Sequence, residues 1–295
     1  METTSLTHLW PWLALAFSFF GALIIGCNQA ARLEGNNAVL WRLAGILPLA
    51  FASLFFLPWP LEFGVYIGAA TLGVVLAFSD VRLYRVSAVF GARLAALYIP
   101  LKIALAFLLW SAIAPSSLQI FSSSPGKLLM VIGAFTLGWV AFGNIRKNDL
   151  SATAFKALLP VAAGLAAADV LAKLCLPVGN ETTLPEIFGR AVAVLTVAAL
   201  SSAALVVWRQ GKVHWPDGRQ TLWGIGLGAL HLGGLSVLLA ALALAPNPGY
   251  VGSITILGAV WLAVYAHFFH HEKNNLWAGL VLVFAGGVVA FATGF

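Results

Sequence analysis

Four ionisable side chains interrupt long apolar stretches of the sequence. Asp169 lies in one such stretch, and Arg93, Lys102 and His231 lie in others. A charged side chain inside an apolar span is costly unless it is paired, so such residues mark binding sites or proton pathways by default. Asp169 either takes part in substrate or proton binding, or forms an ordinary pair with Lys173 one helical turn later. Both interpretations remain open.

The other candidates also have structural alternatives. Arg93 fits an interfacial anchor as well as a cavity, whereas Lys102 lies deeper in its span. The nine residues between them leave the two side chains half a turn out of alignment unless Pro100 bends the helix. His231 fits a buried histidine bonded to a backbone group. We expect the substrate site to be lined by Asp169, Lys102, His231, Arg93, Tyr98 and Tyr265.

A histidine-rich segment near the C-terminal end invites a metal or haem interpretation. His267 and His271 are spaced like ligands on one helix face, with His270 and Glu272 beside them. Zinc hydrolases use the order His-Glu-x-x-His, which is absent here, and no nucleotide-binding or nucleophile motif occurs. We therefore expect an interfacial cluster, no cofactor, no metal and no enzymatic activity. A haem- or metal-binding membrane enzyme is the alternative.

Composition decides the class of protein that carries these side chains. Of 295 residues, 61% are hydrophobic and 9% charged, and the mean hydropathy is +0.95, against about 25% charged in soluble domains. So few charges cannot make a water-facing surface. The net charge of +6 reflects Lys and Arg at the ends of apolar runs rather than nucleic-acid binding. The sequence predicts an integral membrane protein whose cysteines, Cys27 and Cys175, form no disulfide framework.

The apolar runs are continuous and long, which predicts transmembrane helices rather than the ten-residue alternating strands of a β-barrel. We predict ten spans. The stretch from Gln220 to His271 has no charged residue and accommodates two of them, divided at Pro246–Gly249. The bounds predicted for the other eight are 9–27, 43–61, 63–79, 86–113, 128–145, 157–176, 191–208 and 275–293.

Landmarks recur between the two halves of the chain. Cys27 and Cys175 are 148 residues apart, and so are Arg42 and Arg190, each of which opens the second helix of its half. Because each half holds five spans, an odd number, two such copies must be inverted across the membrane. We predict one membrane domain with a first five-helix repeat at 1–148 and a second at 149–295.

The last third carries residues that resemble a known family. Leu244-Ala245-Pro246, a helix from Tyr250, Glu272 at its end, and Gly279 and Gly286 spaced by seven resemble the closing helices of the drug/metabolite transporter (DMT) superfamily, in its ten-helix EamA-like branch. In the first half the resemblance is looser: Arg42 opens span two, and Pro100 falls where that family has a proline in its fourth helix. The resemblance implies ten spans in two inverted repeats and transport of a small metabolite, without naming the substrate.

The distribution of cations predicts the orientation in the membrane. Twelve of the sixteen Lys and Arg residues lie in the loops after odd-numbered spans or at the adjoining helix ends. The positive-inside rule makes these loops cytoplasmic and both termini non-cytoplasmic, whereas the resembling family usually has both termini inside. We expect a multi-pass protein of the cell (inner) membrane whose partners are the bilayer and a small polar or anionic solute. A flippase for lipids or lipid-linked sugars remains the alternative, and a homodimer stays open.

Overall fold

The computed structural model describes residues 6–31, 35–90, 98–122, 124–146, 152–177, 182–210, 218–270 and 276–293. Within these ranges the chain is helical, with turns between helices and no β-strand. The predicted all-α class is confirmed. Continuous apolar sequence explains this outcome, because a helix satisfies every backbone hydrogen bond inside its own segment and needs no partner strand.

Ten principal helices follow one another along the described chain, and the ninth is split into two segments, α9a and α9b. Short helical turns at Leu6–Leu9, Pro115–Leu118 and Gln119–Ser122 precede α1 and α5. The bounds are α1 Trp10–Ala31, α2 Gly35–Ser53, α3 Phe63–Phe90, α4 Tyr98–Ile113, α5 Pro125–Arg146, α6 Ala152–Leu174, α7 Leu184–Gln210, α8 Gly218–Leu244, α9a Pro248–Thr255, α9b Gly258–His270 and α10 Leu276–Ala292.

Five of the described helical segments are long and apolar enough to cross a membrane, at Leu6–Ile24, Phe63–Asp80, Lys156–Leu174, Leu184–Arg209 and Thr221–Leu244. Five shorter apolar helices lie between or after them in the described chain. Large apolar side chains cover the outside of the bundle, including Phe56 at 82% exposed, Trp277 at 78% and Leu222 at 73%. Soluble monomers rarely expose contiguous apolar surface on this scale, so the fold is consistent with a multi-pass membrane protein.

Two predicted boundaries have different outcomes. The turn predicted between spans eight and nine is confirmed, because α8 ends at Leu244 and α9a begins at Pro248. Span four was expected to begin near Val86, but that residue belongs to α3, which continues from Phe63 to Phe90. Asp80 and the charged residues after it end the apolar run without ending the helix, since backbone hydrogen bonding does not depend on polarity and no proline interrupts this stretch.

The helices pack so that α1 contacts α8, α3 contacts α6 and α7, and α2 contacts α7 and α8. On the other side of the bundle α4 packs on α6 and α9a, α9 packs on α1, and α5 pairs with α10. Small residues make these approaches close. A side chain at Gly45 or Gly228 would run into the backbone of the facing helix, so these two glycines allow α2 and α8 to touch.

Candidate functional site

Lys102 and Asp169 form an ion pair between α4 and α6. The Lys102 Nζ lies 2.8 Å from Asp169 Oδ2, and the side chains are 20% and 13% exposed. The two residues are 67 positions apart in the sequence, and they meet because α4 packs against α6. The structure thus brings together two of the six predicted site residues. A pair this enclosed loses most of its hydration, which its Coulomb attraction must offset.

Tyr98, Tyr265 and Arg93 were also predicted to line the site, and they differ in their position relative to the Lys102–Asp169 pair. Tyr98 precedes Lys102 by one helical turn and lies within electrostatic range of its ammonium group. Tyr265 lies on α9b and is 53% exposed. Arg93 falls outside the described residues.

Lys173 does not pair with Asp169, as one interpretation of the sequence suggested. Its Nζ donates to the carbonyl oxygens of Leu242 at 2.8 Å, Ala243 at 3.2 Å and Ala245 at 2.5 Å. A lysine ammonium has three protons, and these three bonds use all of them. The last carbonyls of a helix have no partner inside it, so Lys173 of α6 caps the C-terminal end of α8.

The turn that follows α8 is also tied to α4. Trp110 Nε1 donates to the Pro246 carbonyl at 2.8 Å, and its ring lies 5.1 Å from Lys173 Nζ. Asn247 Nδ2 donates at 3.4 Å to the Phe107 carbonyl and to Ser111 Oγ. The Asn247 Oδ1 accepts from Gly249 N at 2.8 Å, which caps the start of α9a. These contacts close the bundle where α4, α6 and α8 end; we call residues 245–247 the α8–α9 turn.

His231 lies in a second polar cluster, with Arg42 and Asp80. Arg42 NH1 is 3.2 Å from His231 Nε2, and Arg42 NH2 donates to Asp80 Oδ2 at 3.3 Å. His231 Nδ1 lies 3.0 Å from the Leu227 carbonyl. The cluster joins α2, α3 and α8, and it is distinct from the Lys102–Asp169 pair. The structure therefore gives His231 a cationic and a backbone neighbour rather than the carboxylate of Asp169.

A third ion pair lies at the edge of the bundle, where α3 begins. Arg190 NH2 donates to Glu62 Oε1 at 2.6 Å, and the side chains are 22% and 56% exposed. The pKa of Glu62 is held below its ordinary value by a hydrogen bond from its own backbone N–H and then by the Arg190 guanidinium. Arg42 and Arg190, at matched positions of the two halves, thus both form ion pairs with residues in or next to α3.

In the part of the chain that the structure describes, two buried hydroxyl groups have no hydrogen-bond partner, Tyr250 Oη on α9a and Ser236 Oγ on α8. Tyr250 is completely buried and packs between the rings of Trp10 and Phe107, with centroid distances of 6.4 and 5.8 Å. An unpaired buried hydroxyl costs free energy. Tyr250 therefore brings a free donor to the place where α1, α4 and α9a meet.

An apolar crevice is lined by none of the charged side chains described above. It lies between α4, α5, α9 and α10, and its walls include Pro100, Phe135, Trp139, Ser253 and Leu282. Two of these residues are aromatic and none is charged. None of the five predicted site residues that the structure describes lines it.

Several of the residues that make these contacts were not among the sequence candidates. Asp80 lies one residue beyond the predicted end of span three, and the structure places it within α3, which continues to Phe90. Trp110, Asn247 and Tyr250 carry no charge, and nothing in their spacing distinguishes them from packing residues.

The histidine-rich segment is only partly described. The side chains of His267 and His270 and the whole of His271 and Glu272 lie outside the described residues. In the part of the chain that the structure describes, no group of three His, Cys, Asp or Glu side chains is close enough to hold a metal ion. Cys27 and Cys175 are both free thiols.

Comparison with known proteins gives a structural relative only. No protein-family model matches the chain, and no curated protein matches it significantly in sequence. One solved structure, described as "Crystal structure of protein", superposes with a TM-score of 0.63 over 98% of this chain and 97% of that chain, at 15% sequence identity. At this identity the likeness shows a shared fold over the full length.

Proposed function

We propose that this protein is a multi-pass solute carrier of the drug/metabolite transporter type, which moves a small polar or anionic metabolite by alternating access. It acts as a carrier rather than an enzyme. The observation that supports this most is the Lys102–Asp169 ion pair inside an otherwise apolar bundle. Burying two charges is no efficient way to stabilise a fold, because hydrophobic residues of similar volume usually do as well or better. A ligand-binding role accounts for their presence.

Helix packing supports ten spans in two inverted five-helix repeats. The contacts recur with an offset of five helices: α1 packs on α8 as α6 packs on α3, α2 on α8 as α7 on α3, and α9 on α1 as α4 on α6. Exchanging the two halves, helix for helix, leaves three contacting pairs unchanged: α5–α10, α4–α9a and α2–α7. A two-fold axis between the halves would produce this pattern. Since each half has an odd number of helices, that axis lies in the membrane plane.

The depth of the ion pair also favours a transport site. Lys102 precedes the end of α4 at Ile113 by eleven residues, about 16 Å along a helix, and Asp169 precedes the end of α6 by about 8 Å. Lys102 belongs to the first half of the chain and Asp169 to the second. Carrier sites lie near the midplane between repeats. A solute with an anionic group would compete for Lys102, and one with a cationic group for Asp169.

The capped α8–α9 turn supports a state closed at one end. Lys173, Trp110 and Asn247 join α4, α6, α8 and α9a beyond the ion pair. In this proposal the solute enters or leaves at the opposite end, where the odd-numbered helices finish, and the contacts at the α8–α9 turn break in the opposite state.

Transport by reconstituted protein tests the function. Proteoliposomes are screened with radiolabelled amino acids, organic acids, sugar phosphates and nucleosides, and with a fluorescent lipid to detect flippase activity. We then expect Lys102→Gln with Asp169→Asn to fold, because two amides still hydrogen-bond to each other, and to lose at least about 100-fold in uptake with both charges removed. Glu62→Gln with Arg190→Gln is the matched control. Normal uptake by the interior double variant would show that the pair is structural.

The orientation is a separate part of the proposal. The excess of Lys and Arg in the loops after odd-numbered helices places those loops in the cytoplasm and both termini outside. A C-terminal fluorescent protein that matures only in the cytoplasm should stay dark, and a C-terminal alkaline phosphatase should be active. A bright, phosphatase-negative fusion would reverse the orientation and leave the carrier function intact.

A further inference from the structure

The Arg42–Asp80–His231 cluster holds three helices together deep within the bundle. Arg42 reaches His231 on α8 with one guanidinium nitrogen and Asp80 on α3 with the other. His231 is the central residue of α8, thirteen positions from either end. Arg42 and Asp80 have side chains that are 18% and 21% exposed. A polar network placed here costs hydration, so its members need a role that an apolar contact would not fill.

The hydrogen bonds of His231 determine where its proton lies. A carbonyl oxygen only accepts, so Nδ1 carries the hydrogen that bonds the Leu227 carbonyl. A guanidinium only donates, so the Arg42 NH1 group donates to a lone pair on Nε2. His231 is therefore the neutral Nδ1–H tautomer, and its Nε2 lone pair is the acceptor that holds Arg42.

The neighbouring helices bring few other titratable groups to this ring. Among the described residues, α2 supplies Arg42, α3 supplies Asp80 and the exposed Arg82, and α1 supplies Cys27, which packs against Leu227. The described ionic side chains of α6 and α7 have other partners or are exposed: Asp169 is paired with Lys102, Lys173 with carbonyl groups of α8, Arg190 with Glu62, Glu186 with the Thr183 N–H, Arg209 lies over the ring of Phe78, and Lys156 is exposed. Among the described residues, Arg42 is therefore the charged neighbour that opposes a second proton on His231, and partial burial of the ring opposes it as well.

We propose that His231 is a proton-binding site whose occupation releases α8 from α2, and that the proton is the coupling ion of the carrier. A proton taken from water forms an N–H bond with the Nε2 lone pair, no bond to carbon changes, and the imidazole becomes an imidazolium. The acceptor for Arg42 is then lost and two cations face each other at 3.2 Å. Arg42 keeps Asp80 as its partner and moves away with it. Protonation of His231 and its contact with Arg42 exclude each other. Acid therefore shifts the population towards the state in which α8 is separated from α2.

The role as coupling ion rests on the proposed carrier function, whereas the switch itself does not. The Lys102–Asp169 pair is a poorer proton site, because a proton on Asp169 would leave the buried ammonium of Lys102 without its counter-ion. When His231 takes the proton, by contrast, the cation that loses its acceptor, Arg42, still has Asp80 as its counter-ion. A proton-sensitive histidine is also the usual way in which proteins respond to pH near neutrality.

The switch is tested without any substrate, on full-length protein in lipid nanodiscs. Nitrogen-15 NMR of histidine-labelled protein, with the His231 signal assigned by its loss in His231→Gln, should show the Nδ1–H tautomer at pH 8. Spin labels at Arg82→Cys on α3 and Leu222→Cys on α8, in a background with Cys27→Ala and Cys175→Ala, should show a longer distance component that grows as the pH falls below about 6.5, where an unperturbed histidine titrates.

Two variants separate the switch from a general effect of acid. His231→Gln keeps an acceptor for Arg42 but takes no proton, so its label distances should not change with pH. His8→Gln alters an exposed histidine near the N-terminus and should respond to pH as the wild type does. An Nε2–H tautomer, pH-independent distances in the wild type, or an unchanged response in His231→Gln would each overturn the proposal. Because no solute is used, its failure leaves the transport assay unaffected, and a failed transport assay leaves this switch standing.

Discussion

Among the residues that the structure describes, two ion pairs join the halves of this chain, one inside the bundle and one at its edge. Lys102 and Asp169 lie 2.8 Å apart with side chains 20% and 13% exposed, whereas Arg190 and Glu62 lie 2.6 Å apart at 22% and 56%. Each pair links a residue of the first half to one of the second. Their chemistry is similar, but their surroundings are not.

The difference in surroundings assigns the two pairs different roles. At the edge, water still solvates Glu62. Its pairing with Arg190 therefore costs little hydration and contributes little to the free energy of unfolding. In the interior, each of Lys102 and Asp169 depends on the other, because neither can return to water without moving a helix. In the proposed carrier, a solute that brings its own charge replaces one partner there. An interior pair can therefore respond to a ligand in a way that an edge pair cannot.

The largest expected effect is on the interior pair. Lys102→Met leaves the Asp169 carboxylate unpaired and should lower the free energy of unfolding by about 3–5 kcal/mol. Adding Asp169→Leu to Lys102→Met should restore most of that loss, because no lone charge remains. Reversible unfolding of each variant in detergent micelles gives the values. If Lys102→Met were as stable as the wild type, the interior pair would contribute no more to stability than the edge pair.

A smaller effect is expected where Lys173 caps α8. Lys173→Met removes three hydrogen bonds from one ammonium group to carbonyls at 2.5–3.2 Å, and it should cost about 1.5–3 kcal/mol, as for hydrogen bonds to a charged group. Lys156→Met changes an exposed lysine near the start of the same helix and should cost nearly nothing. Equal stability of the two variants would mean that these three bonds do not hold the closed end.

The smallest effect is expected at the edge pair, and it should depend on pH. The pKa of Glu62 in the fold lies below its ordinary value of 4.5. Its contribution to stability is therefore fully present above the unfolded pKa and is lost as the pH falls through the folded one. Melting curves of wild type and Glu62→Gln should differ slightly at pH 7 and converge in acid. A gap that widens on acidification would contradict the lowered pKa.

How much of this molecule is predictable depends on whether a feature is local in the chain. Pro246–Gly249 divides two helices because proline and glycine act on their own backbone, and sequence predicted that turn. The extension of α3 through Asp80 to Phe90 was missed, because hydropathy reports where a helix leaves an apolar environment and not where it ends. The candidates Lys102 and Asp169 were found as costly residues, yet their pairing was not.

By itself, the sequence determined that the chain is helical, that long apolar segments compose it, and which ionisable residues those segments must enclose. Only the tertiary structure decided which of these residues meet. Asp169 pairs with Lys102 on another helix rather than with Lys173 four positions away, and His231 contacts Arg42 across 189 residues. A helical sequence fixes which side chains share a face, but the rotation of that face towards its neighbours follows from close packing at small residues such as Gly45 and Gly228. That rotation is a property of helix pairs, and no single segment encodes it.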